Sequence, residues 1–472
     1  MSKKLVYNVK DVPKTPALIV FAIQQLLAIL AATIAVPAII NSNTGADMSA
    51  SAALFGAGVG TLVYQLFTKF RSPVFLGSSF AFIGSMLAAF AGAVSFSLGF
   101  LGLVIGAIFA GLVYVAIALV VKFVGVGWIN KLMPAAVIGP TVALIGLSLS
   151  GAAINDVFSY GPKDGDGNFI MSGNMWVSML CALITLIVVV VASTYGKKMV
   201  KLIPFIIGIL AGYAVALIFT VIGLIADAPS LQIIDFSPFK ALVVDGVKFT
   251  TFLDLPDFTF VKAIKGFKDL SWSYVATIAV AYIPVAFVVF AEHIADHKNL
   301  SSIIDSDLLT DPGLDRTLLG DGVGSMAGAF FGGCPNTTYG ESVGCVAITR
   351  NASVATIIVT AFMSIGVSFV APFVAFLDSI PGCVMGGVCI TLYGFIAVSG
   401  LKMIKKVNLE DNSNLFTVSV ILITGIGGFG LAIGKVIVTK IACALILGII
   451  TNLILTKFKK PASDDKDIDS EE

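Results

Sequence analysis

Apolar stretches recur along almost the whole chain, and short polar or glycine-rich breaks separate them. A helix crosses the apolar core of a bilayer with about 20 residues, and fourteen windows meet or approach that length. These windows are 16–41, 51–68, 74–92, 97–121, 128–152, 175–195, 202–225, 271–295, 318–333, 336–349, 353–377, 380–400, 414–430 and 436–456. The pattern predicts an all-α polytopic membrane protein with fourteen transmembrane segments.

The composition agrees with this class and excludes others. Hydrophobic residues make up 57% of the 472 residues and charged residues 12%, against about 25% charged residues in typical soluble domains. The net charge of +1 gives no basis for a nucleic-acid partner. Six cysteines stand singly in apolar or small-residue surroundings, which predicts packing residues rather than a metal or redox motif. They are Cys181, Cys334, Cys345, Cys383, Cys389 and Cys443.

Lysine and arginine residues fall in alternate connections, and short cytoplasmic loops are enriched in these cations. The pattern predicts a multi-pass protein with both termini in the cytoplasm, tails at 1–15 and 457–472, and an outer loop at 226–270. The cations that define it are Lys3, Lys4, Lys10, Lys14, Lys69, Arg71, Lys122, Lys131, Lys197, Lys198, Lys201, Lys298, Arg316, Arg350, Lys402, Lys405, Lys406, Lys457, Lys459 and Lys460.

The third and tenth windows share a pattern of small residues, two hydroxyls and an aromatic residue after a proline. Ser78-Ser79-Phe80-Ala81 aligns without gaps with Thr337-Thr338-Tyr339-Gly340. Proline and glycine interrupt helices, so short extended strands are expected in both spans. Each span is the third of seven, and seven is odd, which predicts two inverted seven-span repeats. Alternatively, the hydroxyls are ordinary polar positions in helix contacts.

An inverted pair of broken spans has a functional consequence. It brings two half-helix N termini to the bilayer midplane, where backbone N–H groups suit a substrate rich in carbonyl acceptors. The tenth window, in GCPNTTYGESVGCVAITR (333–350), also contains the ionisable Glu341. Charged groups inside a membrane are costly and are kept where they have partners or a function. The segment therefore predicts a binding site.

The eighth window holds a second polar cluster of Glu292, His293, Asp296 and His297. On a helix the two acids share one face, and the histidines form a neighbouring i, i+4 pair. Burial beside another carboxylate favours the protonated form of a carboxyl group, so Glu292 is a candidate proton-binding residue. Alternatively, this segment is the solvated cytoplasmic end of the span. The histidines lack an evident third ligand for a metal site.

The ninth window contains one further acid, Asp321, in the glycine-rich sequence LLGDGVGSMAG (318–328). Small residues allow helices in membranes to approach closely, so this span is expected to pack tightly. Asp321 is then either a polar clasp between helices or a partner of a binding residue.

Three segments resemble the nucleobase–cation symporter family, also called nucleobase–ascorbate transporters, and within it the uracil permeases. They are Glu292-His293-Ile294, DLLTDPGLDRTLLGDG (307–322) and GGCPNTTYGESVGCVAITR (332–350). The run from Glu341 to Arg350 matches the family signature of an acid, a small polar residue, any residue, Gly, four residues, Thr and Arg. QQLLAILAATIAVP (24–37) and LGSSFAF (76–82) are similar to the family's first and third spans. The likeness covers nearly the whole chain.

The resemblance implies a division of the fourteen spans into two domains. Spans 1–4 (16–121) and 8–11 (271–378) would form a core domain. Spans 5–7 (122–225) and 12–14 (379–456) would form a gate domain, with the substrate between the two.

The same resemblance implies the contacts of a pyrimidine base. Glu292 and Glu341 would accept hydrogen bonds from its N–H groups, and the backbone N–H groups of Phe80 and Gly340 would donate to its carbonyl oxygens. A glutamate in the tenth span is typical of uracil carriers, whereas xanthine and uric acid carriers tend to have glutamine, so Glu341 favours uracil. Two neighbours are also expected at the base, namely Tyr339 and Ser342.

The chain departs from the family pattern at three positions. Asp296 stands where some uracil permeases have a histidine implicated in proton coupling. Gln25 replaces a common histidine of the first span, and Ser342 replaces a common asparagine after the tenth-span acid. We therefore expect the proton path to use Glu292 together with further titratable groups, namely Asp296, His297 and Asp321.

These observations predict a proton-coupled symporter that imports uracil across the cell (inner) membrane by alternating access, acts as a homodimer and needs no cofactor besides the coupling proton. A purine carrier for xanthine or uric acid is the first alternative. An anion exchanger or channel of the same fold is the second, although it would need a cation where Glu341 stands. A membrane enzyme using the His/Asp/Glu cluster is the third, and no nucleophile or metal-binding set supports it.

Overall fold

The protein is an all-helical membrane protein with a few short strands. The computed structural model describes residues 5–125, 128, 132–197, 199–244, 246–433 and 436–458. Of the predicted tails, residues 1–4 and 459–472 lie outside these ranges, as do Lys131 and Lys198. The helices are α1 (Thr15–Thr44), α2 (Ala50–Phe67), α3 (Ile83–Ala91), α4 (Phe96–Val124), α5 (Ala135–Ser148), α6 (Ser150–Val157), α7 (Met175–Tyr195), α8 (Met199–Leu202), α9 (Pro204–Ile225), α10 (Ser237–Ala241), α11 (Thr259–Ile264), α12 (Trp272–Ile304), α13 (Leu314–Gly332), α14 (Gly340–Thr349), α15 (Val354–Val367), α16 (Ala371–Asp378), α17 (Gly382–Ile404), α18 (Asn412–Ile426) and α19 (Lys440–Phe458).

Each of the fourteen predicted windows overlaps at least one of these helices, and the fifth and eleventh windows each overlap two. Among the described residues, nine helical segments are long and apolar enough to cross a membrane: Thr15–Thr44, Ala50–Phe67, Phe96–Val124, Ala135–Val157, Met175–Tyr195, Pro204–Ile225, Trp272–Ile304, Gly382–Ile404 and Lys440–Lys457. The four strands are β1 (Leu76–Ser78), β2 (Asn336–Thr338), β3 (Leu431–Ile433) and β4 (Val436–Val438). Short 3-10 turns cover Phe80–Phe82, Pro229–Leu231, Phe249–Thr251 and Lys265–Asp269, and a π-helical turn covers Leu309–Gly313.

Serine residues start three of the long helices. The hydroxyl of Ser49 accepts a hydrogen bond from an amide in the first turn of α2, and Ser95 and Ser271 do the same for α4 and α12. Each serine satisfies one of the N–H groups that a helix start leaves without a partner. The apolar sequence that follows then continues as helix, because only a helix satisfies its own backbone inside a bilayer.

The helices pack in two sets. The first set contains α1–α4 and α12–α15, with α2 and α4 both packed against α13. The second set contains α5–α7, α9 and α17–α19, with α17 packed against α5, α6 and α7. The contacts of α12 with α19 and of α1 with α17 connect the two sets.

Glycine residues bring α2 and α13 into close contact, as the ninth window predicts. A Cβ atom on Gly56 would lie 2.4 Å from the carbonyl oxygen of Gly328, and one on Gly60 would lie 2.7 Å from that of Gly324. These distances leave no room for a side chain, so the contact requires glycine. The same helix pair holds β2, because the side-chain amide of Asn336 donates to the carbonyl oxygen of Gly56 at 3.1 Å.

The third and tenth windows each contain a strand followed by a helix, which confirms the predicted short strands. β1 and β2 form a two-stranded antiparallel sheet. Two further backbone hydrogen bonds extend it, from Ser79 to Pro335 at 2.9 Å and from Tyr339 to Phe75 at 3.2 Å. The residues in register are Leu76 with Thr338, Gly77 with Thr337, and Ser78 with Asn336.

In the structure, equivalent positions of the two broken spans are shifted by one residue from the positions that the gapless alignment paired. β1 is followed by Ser79 and then by a helical turn that starts at Phe80, and β2 is followed by Tyr339 and then by α14, which starts at Gly340. Phe80 therefore corresponds to Gly340, whereas the alignment paired Gly340 with Ala81. The alignment matched pairs of hydroxyl residues, but the backbone position of the helix start defines the repeat.

A β-hairpin was missed between the last two spans. The predicted windows 414–430 and 436–456 run almost together, but α18 ends at Ile426 and α19 begins only at Lys440. β3 and β4 pair in between. The glycine-rich sequence GIGGFG (425–430) ends the helix, since glycine is a poor helix former, and the β-branched residues that follow favour strands.

Two further span ends are corrected. The fifth window was placed at 128–152, of which residues 129–131 lie outside the described ranges; α5 begins at Ala135, and α6 ends at Val157 rather than at residue 152. Proline at position 134 precedes α5, and proline is well tolerated at a helix start. α12 continues to Ile304 rather than ending near residue 295, so the eighth-window cluster lies within the helix and not at its end.

Candidate functional site

Two half-helices start at the paired strands. Because β1 and β2 are antiparallel, the chain leaves the sheet at opposite ends, into the helical turn at Phe80 and into α14 at Gly340. The first N–H groups of a helix have no partner within the helix, and this end carries a partial positive charge. The amides of Phe80 and Gly340 are therefore candidate donors to carbonyl oxygens of a ligand.

One face of α14 borders open space. Gly340 is exposed, and a Cβ atom on Gly340 or on Gly344 would meet no atom within 4 Å. Glu341 lies between them in the first turn and is half-buried. A helix N terminus stabilises negative charge, so α14 presents a backbone donor and a carboxyl acceptor side by side next to a space that a ligand could fill.

α12 brings a second carboxyl group to this place. Glu292 is half-buried, and α12 packs against both α14 and β2. One turn further along α12, the Asp296 carboxylate accepts a hydrogen bond from the hydroxyl of Thr338 in β2 at 3.0 Å. Glu292, Asp296 and Glu341 lie close enough to interact electrostatically. The structure thus brings together the acids that the sequence placed in separate windows.

Two other predicted site residues point into the protein. The hydroxyl of Ser342 is fully buried and accepts hydrogen bonds from the Gln25 side chain and from the Phe75 amide, the latter at 2.9 Å. Tyr339 is 3% exposed, and its hydroxyl donates to the Ser78 carbonyl oxygen at 2.9 Å. Both side chains therefore connect the tenth span to its neighbours. Gln25 and Ser342, two departures from the family pattern, contact each other.

His293 and Asp321 form a buried pair between α12 and α13. The Nδ1 atom of His293 lies 2.7 Å from Oδ2 of Asp321, and its Nε2 atom shares a hydrogen bond with Thr317 at 3.0 Å. His293 and Asp321 are both 0% exposed. Asp321 is thus a polar clasp between two helices, one of the two interpretations of the sequence.

His297 extends this polar network towards α2. Its Nδ1 group donates to the carbonyl oxygen of His293 at 2.8 Å, its Nε2 atom is 2.7 Å from the Tyr64 hydroxyl, and the two imidazole rings stack at 4.0 Å. The interpretation of this segment as a solvated helix end is wrong for both histidines, because both are buried inside a helix that continues to Ile304. The ring of His297 requires a buried partner, which Tyr64 supplies.

Some of these partners were missed in the sequence. Tyr64 and Thr317 were not singled out, because Tyr64 lies 233 positions from His297 and each residue alone is a common membrane-helix residue. The six cysteines are all buried free thiols, as expected of packing residues. Within the described ranges, no group of three or more His, Cys, Asp or Glu side chains is arranged to hold a metal ion.

Solved transporter structures share this fold. The transmembrane domain of a cyanobacterium bicarbonate transporter, BicA, superposes with a TM-score of 0.52 at 15% identity and covers 92% of this chain and 97% of that chain. The murine anion transporter solute carrier 26 family member A9, in the inward-facing state, superposes with a TM-score of 0.60 at 11% identity and covers 95% and 69%. At these identities the likeness concerns the fold alone.

Sequence comparison is more specific. The uracil permease of Bacillus subtilis (strain 168) is 37% identical over 98% of both chains. The uracil permease of Escherichia coli (strain K12) is 34% identical over 95% of this chain and 93% of its own. A family model described as "Permease family" (Xan_ur_permease) matches residues 16–433. The chain therefore belongs to this permease family and is a membrane transporter, not an enzyme.

Proposed function

We propose that this protein imports uracil across the cell (inner) membrane together with a proton. The observation that carries the proposal is the open face of α14, where the amide of Gly340 and the carboxyl group of Glu341 stand side by side, with Glu292 of α12 nearby. Uracil has N–H donors and carbonyl acceptors in one ring plane, which these two kinds of group match. The near full-length similarity to uracil permeases supports the same substrate.

In the proposed complex, four groups bind the base. Glu292 and Glu341 accept hydrogen bonds from its N–H groups, and the amides of Phe80 and Gly340 donate to its carbonyl oxygens. Tyr339 and Ser342 act behind the site, because their hydroxyls already bond Ser78, Gln25 and Phe75 and so hold the two broken spans in place.

Protonation of Glu292 is the proposed coupling event. A neutral carboxyl group can donate as well as accept a hydrogen bond and adds no charge to a buried site, so proton and substrate stabilise the same state. Asp296 and Asp321 set the electrostatic surroundings of Glu292. His297 continues the path towards Tyr64, and from Tyr64 a 2.7 Å hydrogen bond leads to Ser72.

The proposed movement is that of a core domain (16–121 and 271–378) against a gate domain (122–225 and 379–456). The two packing sets of helices support this division. We propose fourteen spans in two inverted seven-span repeats, related through β1 and β2. Both termini would be cytoplasmic. The amide of Val6 donates to the carbonyl oxygen of Arg350 at 2.8 Å, which supports a location of the N-terminal tail on the same side of the membrane as the loop after the tenth span. A homodimer remains part of the proposal.

One observation weighs against an anion carrier, and one experiment distinguishes a purine carrier. An anion carrier of this fold would need a cation at the paired strands, but segments 76–83 and 336–343 contain none and include Glu341. A xanthine or uric acid carrier would keep the architecture and differ in the contacts of the base, so competition distinguishes it.

The test is uptake of labelled uracil into proteoliposomes under an inward proton gradient, with excess unlabelled xanthine as competitor. We expect accumulation that xanthine does not reduce, and no accumulation against the uracil gradient in Glu292→Gln. Uptake that xanthine blocks would favour a purine carrier. Full gradient-driven accumulation by Glu292→Gln would exclude Glu292 as the coupling residue.

A further inference from the structure

A large cavity lies at the C-terminal end of α1. It has a volume of about 780 Å³ and lies between the end of α1, α6, α16, the start of α17 and the 226–270 loop. Its walls are mixed: apolar residues such as Ile34, Pro37, Leu377 and Met385 stand beside polar ones, which include Asp47, Asp156, Asp254, Asp257 and Asp378. Of these helices, α1 belongs to the first packing set and α6 and α17 belong to the second, so the cavity lies on the boundary between the proposed core and gate domains.

Asp156 of α6 brings a buried carboxyl acceptor to the wall of this cavity. The residue lines the cavity and is 3% exposed, yet its Oδ1 atom has no hydrogen-bond partner among the described residues. The hydroxyls of Ser42 and Tyr160 lie beside the carboxyl group. α17 packs closely against this part of α6, because a Cβ atom on Gly386 would lie 2.9 Å from Cβ of Asp156. A buried acceptor without a partner is costly, and a ligand donor would remove that cost.

The other carboxyl groups of the cavity do not form a metal site. Asp47 and Asp257 at the rim are neutralised by Lys262, whose Nζ atom is 3.2 Å and 2.5 Å from their carboxylates. Within the described ranges no arrangement of His, Cys, Asp and Glu could hold a metal ion. Asp254 and Asp378 also line the cavity. A mixed apolar and polar lining is typical of sites for small organic molecules, and the partnerless Oδ1 atom of Asp156 suits a ligand that offers an N–H donor.

The cavity and the broken tenth span adjoin the same stretch of α1. Ile34 lines the cavity. The hydroxyl oxygen of the preceding residue, Thr33, is 3.4 Å from the hydroxyl oxygen of Tyr339. Tyr339 immediately precedes Gly340 at the start of α14. The same stretch of α1 therefore borders the cavity and contacts the broken tenth span.

We infer that this cavity is a second, outer binding site for a neutral N–H-bearing heterocycle, with the Asp156 carboxylate accepting a hydrogen bond from a ring N–H. The inference rests on the proposed function, because it assigns the same substrate class to a second position on the path to the central site.

Equilibrium binding of labelled uracil to the purified full-length protein tests it. The wild-type protein should bind at a tighter and a weaker site. Glu341→Gln should lose the tighter site and keep the weaker one, and Asp156→Asn should weaken the latter by about tenfold, as expected for loss of a hydrogen bond to a charged group. Asp227→Asn is the matched control, since it removes an exposed carboxylate of the same surface that lies outside the cavity.

A second variant guards against misfolding of Asp156→Asn. Ala241 is exposed on the loop side of the cavity, so Ala241→Trp should fill the space without disturbing the core and should weaken the same site. A single site that Glu341→Gln abolishes, or a weaker site unchanged in both cavity variants, overturns the outer site and leaves the proposed function intact. Absence of any uracil binding to the wild-type protein overturns both.

Discussion

The two broken spans share one backbone plan and differ in their side chains. Each has a short strand, one extended residue and a helix start, at Phe80 in one span and at Gly340 in the other. The next residue is Ala81, which is 4% exposed, in the first span, and the half-buried Glu341 in the second. The fold thus supplies backbone donors from both spans, whereas a carboxyl acceptor comes from only one of them.

Their surroundings differ in the same way. The turn after β1 is packed into the core, where Phe82 stacks on Tyr282 with ring centroids 5.5 Å apart. α14 keeps an open face at Gly340 and Gly344. The first span therefore supplies a fixed wall, and the second span supplies both the space for a ligand and the group that distinguishes ligands.

The largest expected effect comes from removing the acceptor of the second span. Glu341→Gln should lower kcat/KM for uracil by about 10- to 100-fold, because it replaces a charge-assisted hydrogen bond with a neutral one. Initial rates in proteoliposomes measure this. Glu410→Gln, a change of an exposed glutamate, is the control and should transport normally. Equal uptake rates in Glu341→Gln and Glu410→Gln would contradict the claim that the second span contributes the carboxyl group that binds uracil.

Glycine substitutions in the two spans should have opposite consequences. A Cβ atom on Gly77 would lie 2.2 Å from the ring of Tyr339, so Gly77→Ala should destabilise the strand pair by about 1–3 kcal/mol. Gly340→Ala meets no atom within 4 Å and should leave the melting temperature unchanged while raising the KM for uracil several-fold. Thermal unfolding and uptake of both variants measure these effects. A stable Gly77→Ala protein with normal uptake would contradict the tight pairing.

The smallest effect is expected where the spans contact each other behind the site. Tyr339→Phe removes the hydrogen bond to the Ser78 carbonyl oxygen and should cost about 1 kcal/mol of stability. It should not change the preference for uracil over xanthine. Tyr195→Phe is the control, because Tyr195 is 78% exposed. A change of preference in Tyr339→Phe would place its hydroxyl in contact with the substrate.

The sequence predicts the spans and the acids well for a physical reason. Apolar windows are long, and a carboxyl group such as Glu341 is conspicuous within one. The direction of single side chains was harder to predict. A shift of one residue reverses which side of a strand a residue faces, and the gapless alignment of the two spans was displaced by one residue. The family resemblance places Tyr339 and Ser342 next to the base, and the sequence alone did not show that their hydroxyls bond to neighbouring spans.

Contacts between distant windows were beyond the sequence pattern. The pairing of His297 with Tyr64 and of Gln25 with Ser342 depends on how helices pack, and small polar residues occur in many helix contacts. The hairpin of β3 and β4 was missed because its residues are as apolar as those of the flanking spans. Hydropathy reports how apolar a segment is and not its backbone conformation, so it could not distinguish strand from helix there.

One measurement tests most directly the claim that a base held between the two broken spans moves with a proton. Proteoliposomes that contain a pH-sensitive dye would receive uracil outside, without an imposed pH gradient. We predict acidification of the lumen upon uracil addition, none upon xanthine addition, and an initial rate about 10- to 100-fold lower with Glu341→Gln. Entry of labelled uracil without any change of lumenal pH would contradict proton-coupled transport by this protein.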